Sequence, residues 1–95
     1  MSAFVIATVA IKNPEKLQEY AQKSMATIAA FGGEPVARGK VVGIFSGDAK
    51  YEMTAVVKFP DIQAIDSWYQ SADYQALIPL RNEAADVTLV KCLGM

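Results

Sequence analysis

Histidine is absent from the 95 residues, and with it go the commonest side-chain proton shuttle, the commonest metal ligand and the usual proximal haem ligand. What chemistry remains falls to guanidinium, phenol and carboxylate groups. Arg38 is the first candidate, for catalysis and for ligand binding. It stands beside Gly39 in a stretch that reads as strand, and a guanidinium on a rigid strand can hold a carboxylate or enolate oxygen with two parallel hydrogen bonds. Its structural alternative is an edge-strand arginine, exposed or paired with Glu52 or Asp48. Arg81 follows a break at Pro79 and is a ligand-binding candidate for the same cavity, or else a capping or ion-pairing residue. Tyr20, Trp68, Tyr69 and Tyr74 form an aromatic set suited to gripping a flat small molecule while offering a hydrogen bond or two. Of these, Tyr69 is the second catalytic candidate, as donor of a proton or hydrogen bond, and Tyr20, Trp68 and Tyr74 are ligand-binding candidates. Helical spacing also puts aromatics in cores, so at least two of the four are expected simply to pack, Trp68 first. Asp48, Glu52, Asp73 and Asp86 have no spacing that demands paired acid–base work. Neither a metal cluster nor a cofactor is expected.

Composition narrows the function further. Nine Lys and Arg face ten Asp and Glu with no block of like sign, so nothing draws the chain toward polynucleotides or acidic membranes. Arg38-Gly39-Lys40-Val41-Val42-Gly43-Ile44-Phe45 has a faint likeness to an RNA-binding strand, but Lys40 and Val42 stand where stacking aromatics belong. Gly32-Gly33 follows a helix and precedes none, which excludes a phosphate loop. The single cysteine, Cys92, cannot form an internal disulfide and reads as a small buried hydrophobe. No apolar run nears the 18 or so residues of a membrane helix, and the apolar start lacks the basic flank and cleavage site of a signal peptide. A soluble, cytoplasmic protein is expected.

The elements that must position these groups are legible from periodicity. Ala3–Ile11 reads as a strand with no polar face. Phe4, Ile6, Thr8 and Ala10 point one way, and Ala3, Val5, Ala7, Val9 and Ile11 the other. Asn13-Pro14 is a helix start, and Leu17, Tyr20, Ala21, Ser24, Met25, Ile28 and Phe31 form one helical stripe that Gly32-Gly33 ends. Residues 35–45 read as one long strand bent or bulged at Gly39 and Gly43. Ser46-Gly47-Asp48 should turn it into an antiparallel strand with Met53, Ala55, Val57 and Phe59 on its core face. Pro60-Asp61 opens a second helix that buries Ile65, Trp68 and Tyr69. Ser71 caps a further segment over residues 72–77, which Pro79 breaks or restarts. The last strand spans residues 87–93, with Val87, Leu89, Lys91 and Leu93 on one face. One α+β domain over residues 1–95 follows, in the ferredoxin-like order β-α-β-β-α-β, its four-stranded antiparallel sheet carrying the helices on one face.

The uncovered face sets the assembly. Antiparallel sheets commonly leave one face wet, but Ala3–Ile11 is apolar on both. At about 25 cal/mol per Å², roughly 500 Å² of bare apolar sheet would forgo up to about 12 kcal/mol. A homodimer through the sheet face is expected, against the alternative of a monomer with a mildly apolar surface.

Asn13-Pro14, Tyr20, Phe31-Gly32-Gly33, Arg38-Gly39, Phe59-Pro60, Trp68-Tyr69-Gln70-Ser71, Asp73-Tyr74-Gln75 and Pro79-Leu80-Arg81 resemble, in order and spacing, the DUF1330 family of the dimeric α/β-barrel superfamily. The chain departs from that pattern at Lys40, where a second glycine is common, and at Ala72, where proline often follows Ser71. The resemblance implies a ferredoxin-like protomer, two of which form a dimeric α/β barrel, with a cavity between sheet and helices, and it implies no defined activity. Superfamily relatives include cofactor-independent enzymes acting on aromatic or enolisable substrates. Two readings stand open: a small-molecule pocket protein with or without catalysis on a small acidic or aromatic substrate, and a non-catalytic metabolite-binding or dimeric interaction module.

Overall fold

A computed structural model describes residues 2–95. The chain runs β1 (Ala3–Ile11), α1 (Pro14–Ala30), β2 (Glu34–Lys40), β3 (Met53–Phe59), α2 (Ile62–Gln70), α3 (Ala72–Gln75), α4 (Ile78–Ala84) and β4 (Ala85–Leu93). Its strands form one antiparallel sheet in the order β2-β3-β1-β4. The expected plan holds, with the second helical connection divided into three. The apolar β1 sits inside the sheet, where both its edges find ladder partners: Val5 lies opposite Val57 and Lys91, and Ala7 opposite Ala55 and Leu89.

Local chemistry sets the helix ends. The Asn13 side chain accepts from the Lys16 amide at 3.1 Å, and α1 stops where Gly32 takes φ 79°, a left-handed turn that lets its amide reach the Ala29 carbonyl. Ser71 serves two helices with one hydroxyl, donating to the Trp68 carbonyl at 2.7 Å and accepting from the Tyr74 amide at 3.2 Å. Pro79 is the second residue of α4, where a helix has no use for an amide, so it restarts the chain there. Ala3, Val5, Ile28, Phe59, Ile65, Trp68 and Tyr74 make the buried core between sheet and helices.

Three expectations fail. The strand expected over residues 35–45 ends at Lys40, and its bulge falls between Pro35 and Ala37 instead of at the glycines. Beyond a last bond from the Val41 amide to the Glu52 carbonyl, Val42 and Phe45 stand fully exposed. Strand-like composition needs a neighbouring strand and a covered face to act, and neither exists there. Tyr69 is partly exposed, unlike Ile65 and Trp68 on the same helix. Cys92 is only half-buried, because it shares the open face with Phe4, its partner across β1 and β4. That face also carries Ile6, Val56 and Val90, and the helices pack on the other one, against Val57 and Leu89.

Candidate functional site

The breaks at Ser71 and Pro79 bring α2, α3 and α4 round the top of α1, and Tyr20, Trp68, Tyr69, Tyr74 and Arg81 form one connected cluster there. Tyr74, which is 0% exposed, is the hub. Its hydroxyl lies 2.7 Å from that of Tyr20 on α1 and accepts from Arg81 Nη1 at 3.1 Å. The same Nη1 reaches the Tyr69 hydroxyl at 3.5 Å, the outer limit of a hydrogen bond. Ring centroids of Tyr74 lie 4.5 Å from Trp68 and 5.3 Å from Tyr69, within the range of favourable aromatic pairs. Trp68 is fixed from behind by its indole N–H, which donates to Thr27 Oγ1 at 3.0 Å.

Arg81 has no acid to answer it. The ion pairs among the described residues join Lys12 to Asp86, Lys16 to Glu83, Lys23 to Glu19 and Lys91 to Asp66. The Arg81 Nε is buried without a partner. Burial works against the charge, but the hydroxyls of Tyr69 and Tyr74 more than offset it and hold the guanidinium above its ordinary value. Burial, and after it Tyr74, push the Tyr20 hydroxyl well above the usual phenol range despite the opposing pull of Arg81. Both groups therefore keep their protons at any ordinary pH.

Two cavities flank this cluster. The larger, about 380 Å³, lies between α2, α4 and the β1–β4 side of the sheet, with Arg81, Tyr69 and Trp68 on its walls and Val87 and Leu89 on its floor. Lys91 and Asp66, paired at 2.7 Å, line it too. The smaller, about 150 Å³, lies under α1 and is almost wholly apolar. Trp68, Val5, Val87 and Leu89 border both.

Of the residues singled out in the sequence, Tyr20, Trp68, Tyr69, Tyr74 and Arg81 come together. Arg38 stands apart from them. It is exposed on β2, opposite Ala55, at the rim of the smaller cavity. It pairs with neither Glu52 nor Asp48, and the Glu52 carboxylate instead accepts from the Ile11 amide at 3.0 Å. Lys91 and Asp66 were not singled out as site residues. Their signal lay in the alternation of β4, which puts Lys91 on the same face as Val87 and Leu89, under the helices.

The family model of DUF1330, a domain of unknown function, matches residues 2–95. The chain belongs to this family. No curated protein matches it. Among solved structures, this DUF1330 chain is similar to a Rhodopseudomonas palustris protein of unknown function, with 18% identity, a TM-score of 0.80, and coverage of 99% of this chain and 82% of that one. It is similar to SnoaB, a cofactor-independent oxygenase from Streptomyces nogalater, with 8% identity, a TM-score of 0.73, and coverage of 99% and 93%. A dimeric ferredoxin-like protein of unknown function from Jannaschia sp. CCS1 aligns with 10% identity, a TM-score of 0.70, and coverage of 99% and 100%. At these identities the likeness speaks for the fold, which is ferredoxin-like.

Proposed function

We propose that this DUF1330 protein is a small-molecule pocket protein that takes a compact planar acid in the larger cavity, the ring against Trp68 and Tyr69 and the acid group toward Arg81. One observation carries this: a partly buried guanidinium borders that cavity with only neutral phenols for partners. A half-desolvated charge without a counter-ion raises the free energy of the empty protein, and an anionic ligand recovers it. Tyr69 is the ligand's hydrogen-bond donor in this reading, being partly exposed and loosely held at 3.5 Å. Tyr74 and Tyr20 orient Arg81. Arg38 is a second anion contact, at the rim of the smaller cavity.

The test is thermal unfolding with benzoate and salicylate as probes. Stabilisation should grow with ligand concentration above the dissociation constant and vanish in Arg81→Gln. Equal shifts in both proteins would overturn the assignment.

Catalysis is the second reading, and the likeness to a cofactor-independent oxygenase favours it. Here Arg81 would stabilise an enolate oxygen in a site shielded from water. Phenylpyruvate in D₂O tests this. Exchange of its α-carbonyl protons faster than in buffer, and slowed in Arg81→Gln, supports catalysis. Binding without faster exchange leaves a metabolite-binding module.

The proposal includes a homodimer through the open sheet face. The apolar Phe4, Ile6, Val56 and Val90 there support it, as does the dimeric Jannaschia neighbour. A cytoplasmic location belongs to the same reading, and the lone thiol of Cys92 is compatible with a reducing compartment. No helix among the described residues is long and apolar enough to cross a membrane.

A further inference from the structure

The smaller cavity is a site of a different kind, and the protons of the tyrosine pair define it. Two phenols bring two hydroxyl protons to one short contact, so one proton lies between the oxygens and the other must point elsewhere. If Tyr20 donated to Tyr74, the Tyr74 oxygen would accept from both Tyr20 and Arg81, and its own proton would have no acceptor at a position 0% exposed. An unsatisfied buried donor costs about 1–3 kcal/mol. The opposite arrangement leaves the spare proton on Tyr20, which is less deeply buried than Tyr74. Tyr74 donates to Tyr20, its oxygen accepts from Arg81, and the Tyr20 proton is turned away from the pair.

Tyr20 lines the cavity under α1. The cavity's other hydroxyl protons are spoken for: Ser24 donates to the Ala21 carbonyl at 3.2 Å and Thr54 to the Ala7 carbonyl at 3.1 Å. No second partner of the Tyr20 hydroxyl occurs among the described residues. The chain from Arg81 through Tyr74 polarises that hydroxyl in the donating sense, since each bond strengthens the next. The rest of the lining is mostly apolar, with Val9, Leu17, Met53 and Val57 among its members, and the cavity measures about 150 Å³. A dry apolar void of about this size accepts a molecule as large as benzene. Met25 and Arg38 are its only exposed lining residues and mark where it reaches solvent.

We infer that the cavity under α1 is a second ligand site, which takes a neutral six-membered-ring carbonyl compound, with the Tyr20 hydroxyl donating to the carbonyl oxygen. A carboxylate does not suit its interior, because Arg38 stands at the exposed mouth and a single phenol cannot repay the desolvation of an ion among aliphatic walls. The inference does not depend on the acid-binding role of Arg81, since it concerns a different cavity and a different donor.

Cyclohexanone and methylenecyclohexane, nearly equal in shape, differ in whether they carry an acceptor. Binding can be followed by NMR of the methionine methyl groups, because Met25 and Met53 both line the cavity. The wild-type protein should bind cyclohexanone about three- to tenfold more tightly than the hydrocarbon, the usual worth of one neutral hydrogen bond. Tyr20→Phe keeps the ring and should abolish that preference while still binding methylenecyclohexane, which shows that the variant is folded and the cavity intact. The carbonyl stretch of bound cyclohexanone should lie at lower frequency in the wild type than in Tyr20→Phe. Equal affinities in the wild type, a preference that survives Tyr20→Phe, or no response of Met25 and Met53 to either probe would each overturn the inference. Loss of the benzoate response in Arg81→Gln bears on the other cavity alone.

Discussion

Tyr74→Phe removes one oxygen from the middle of the molecule, and its cost can be worked from the two contacts that oxygen makes. The bond from Arg81 at 3.1 Å is charge-assisted, and bonds of that class contribute about 1.5–3 kcal/mol. The 2.7 Å bond to Tyr20 is between neutral groups and contributes about 0.5–1.5 kcal/mol. Against the sum stands the relief of no longer burying a hydroxyl, and the freedom of Tyr20 to find another acceptor. A net loss of about 2 kcal/mol follows from those ranges. For a chain of this length it would lower Tm by roughly 8–16 °C. Tyr69→Phe is the control, because its hydroxyl receives Arg81 only at 3.5 Å and the residue is 36% exposed. It should cost less than about 0.5 kcal/mol. Urea unfolding read by the fluorescence of Trp68, the only tryptophan, measures both at one fixed protein concentration, and an unchanged m-value would confirm that the midpoints report stability. Equal costs for the two variants would refute the placement of the buried charge on Tyr74.

Because burial raises the Tyr20 hydroxyl above the ordinary phenol range, the folded chain keeps a proton that the unfolded chain releases. Stability from this source is complete below about pH 10 and falls as pH rises further, at up to about 1.4 kcal/mol per pH unit. Tyr20→Phe should show a correspondingly shallower alkaline slope, and an unchanged slope would place the titration elsewhere. Gly33→Ala would put a Cβ 2.5 Å from Ile28 Cγ2 and 2.9 Å from the buried ring of Phe59. About 1–3 kcal/mol of overpacking is expected, whereas Gly39→Ala, with nothing within 4 Å, should be nearly neutral in the same denaturation assay. Ile6→Arg puts a charge at the centre of the open sheet face, between Val56 and Val90, and should yield a folded monomer in sedimentation velocity. A variant that sediments as the wild type does would show that this face is not the dimer contact.

The strands and helix boundaries were readable because each has a local cause. Asn13 and Ser71 cap the helices they were expected to cap, Asp61 caps the one that Pro60-Asp61 was expected to open, and two-residue alternation put Met53, Ala55, Val57 and Phe59 on the helix side of β3. Where the reading failed, the cause is not local. Residues 41–45 have strand composition, yet a strand exists only where a partner supplies its ladder, and propensity does not reveal the point at which β2 and β3 diverge. The same limit applies to the candidate site. Residue type and local setting could name Tyr20, Tyr69, Tyr74 and Arg81 as candidates, but Tyr20 and Tyr74 are 54 positions apart, and only the folding of α3 over α1 decides that their hydroxyls meet. Arg38 had the more favourable local setting of the two arginines. A strand position fixes which face a residue occupies, and not what the helices above it leave open.

Packing alone does not account for the Tyr74–Arg81 pair. Isolated helices shorter than about 12–15 residues are marginal in water, so α3, with four residues, and α4, with seven, stand only because Tyr74 and Ala84 bury themselves against the core. For that purpose phenylalanine at position 74 and leucine at position 81 would fill comparable space without taking a hydroxyl and a charge out of water, and apolar replacements of buried polar groups are often neutral or stabilising. The chain instead keeps a guanidinium whose Nε has no acceptor and a phenol whose oxygen exists, structurally, to hold it. Charge retained at a cost, oriented by a fully buried hub and facing a cavity, is what a binding site requires and what a core does not.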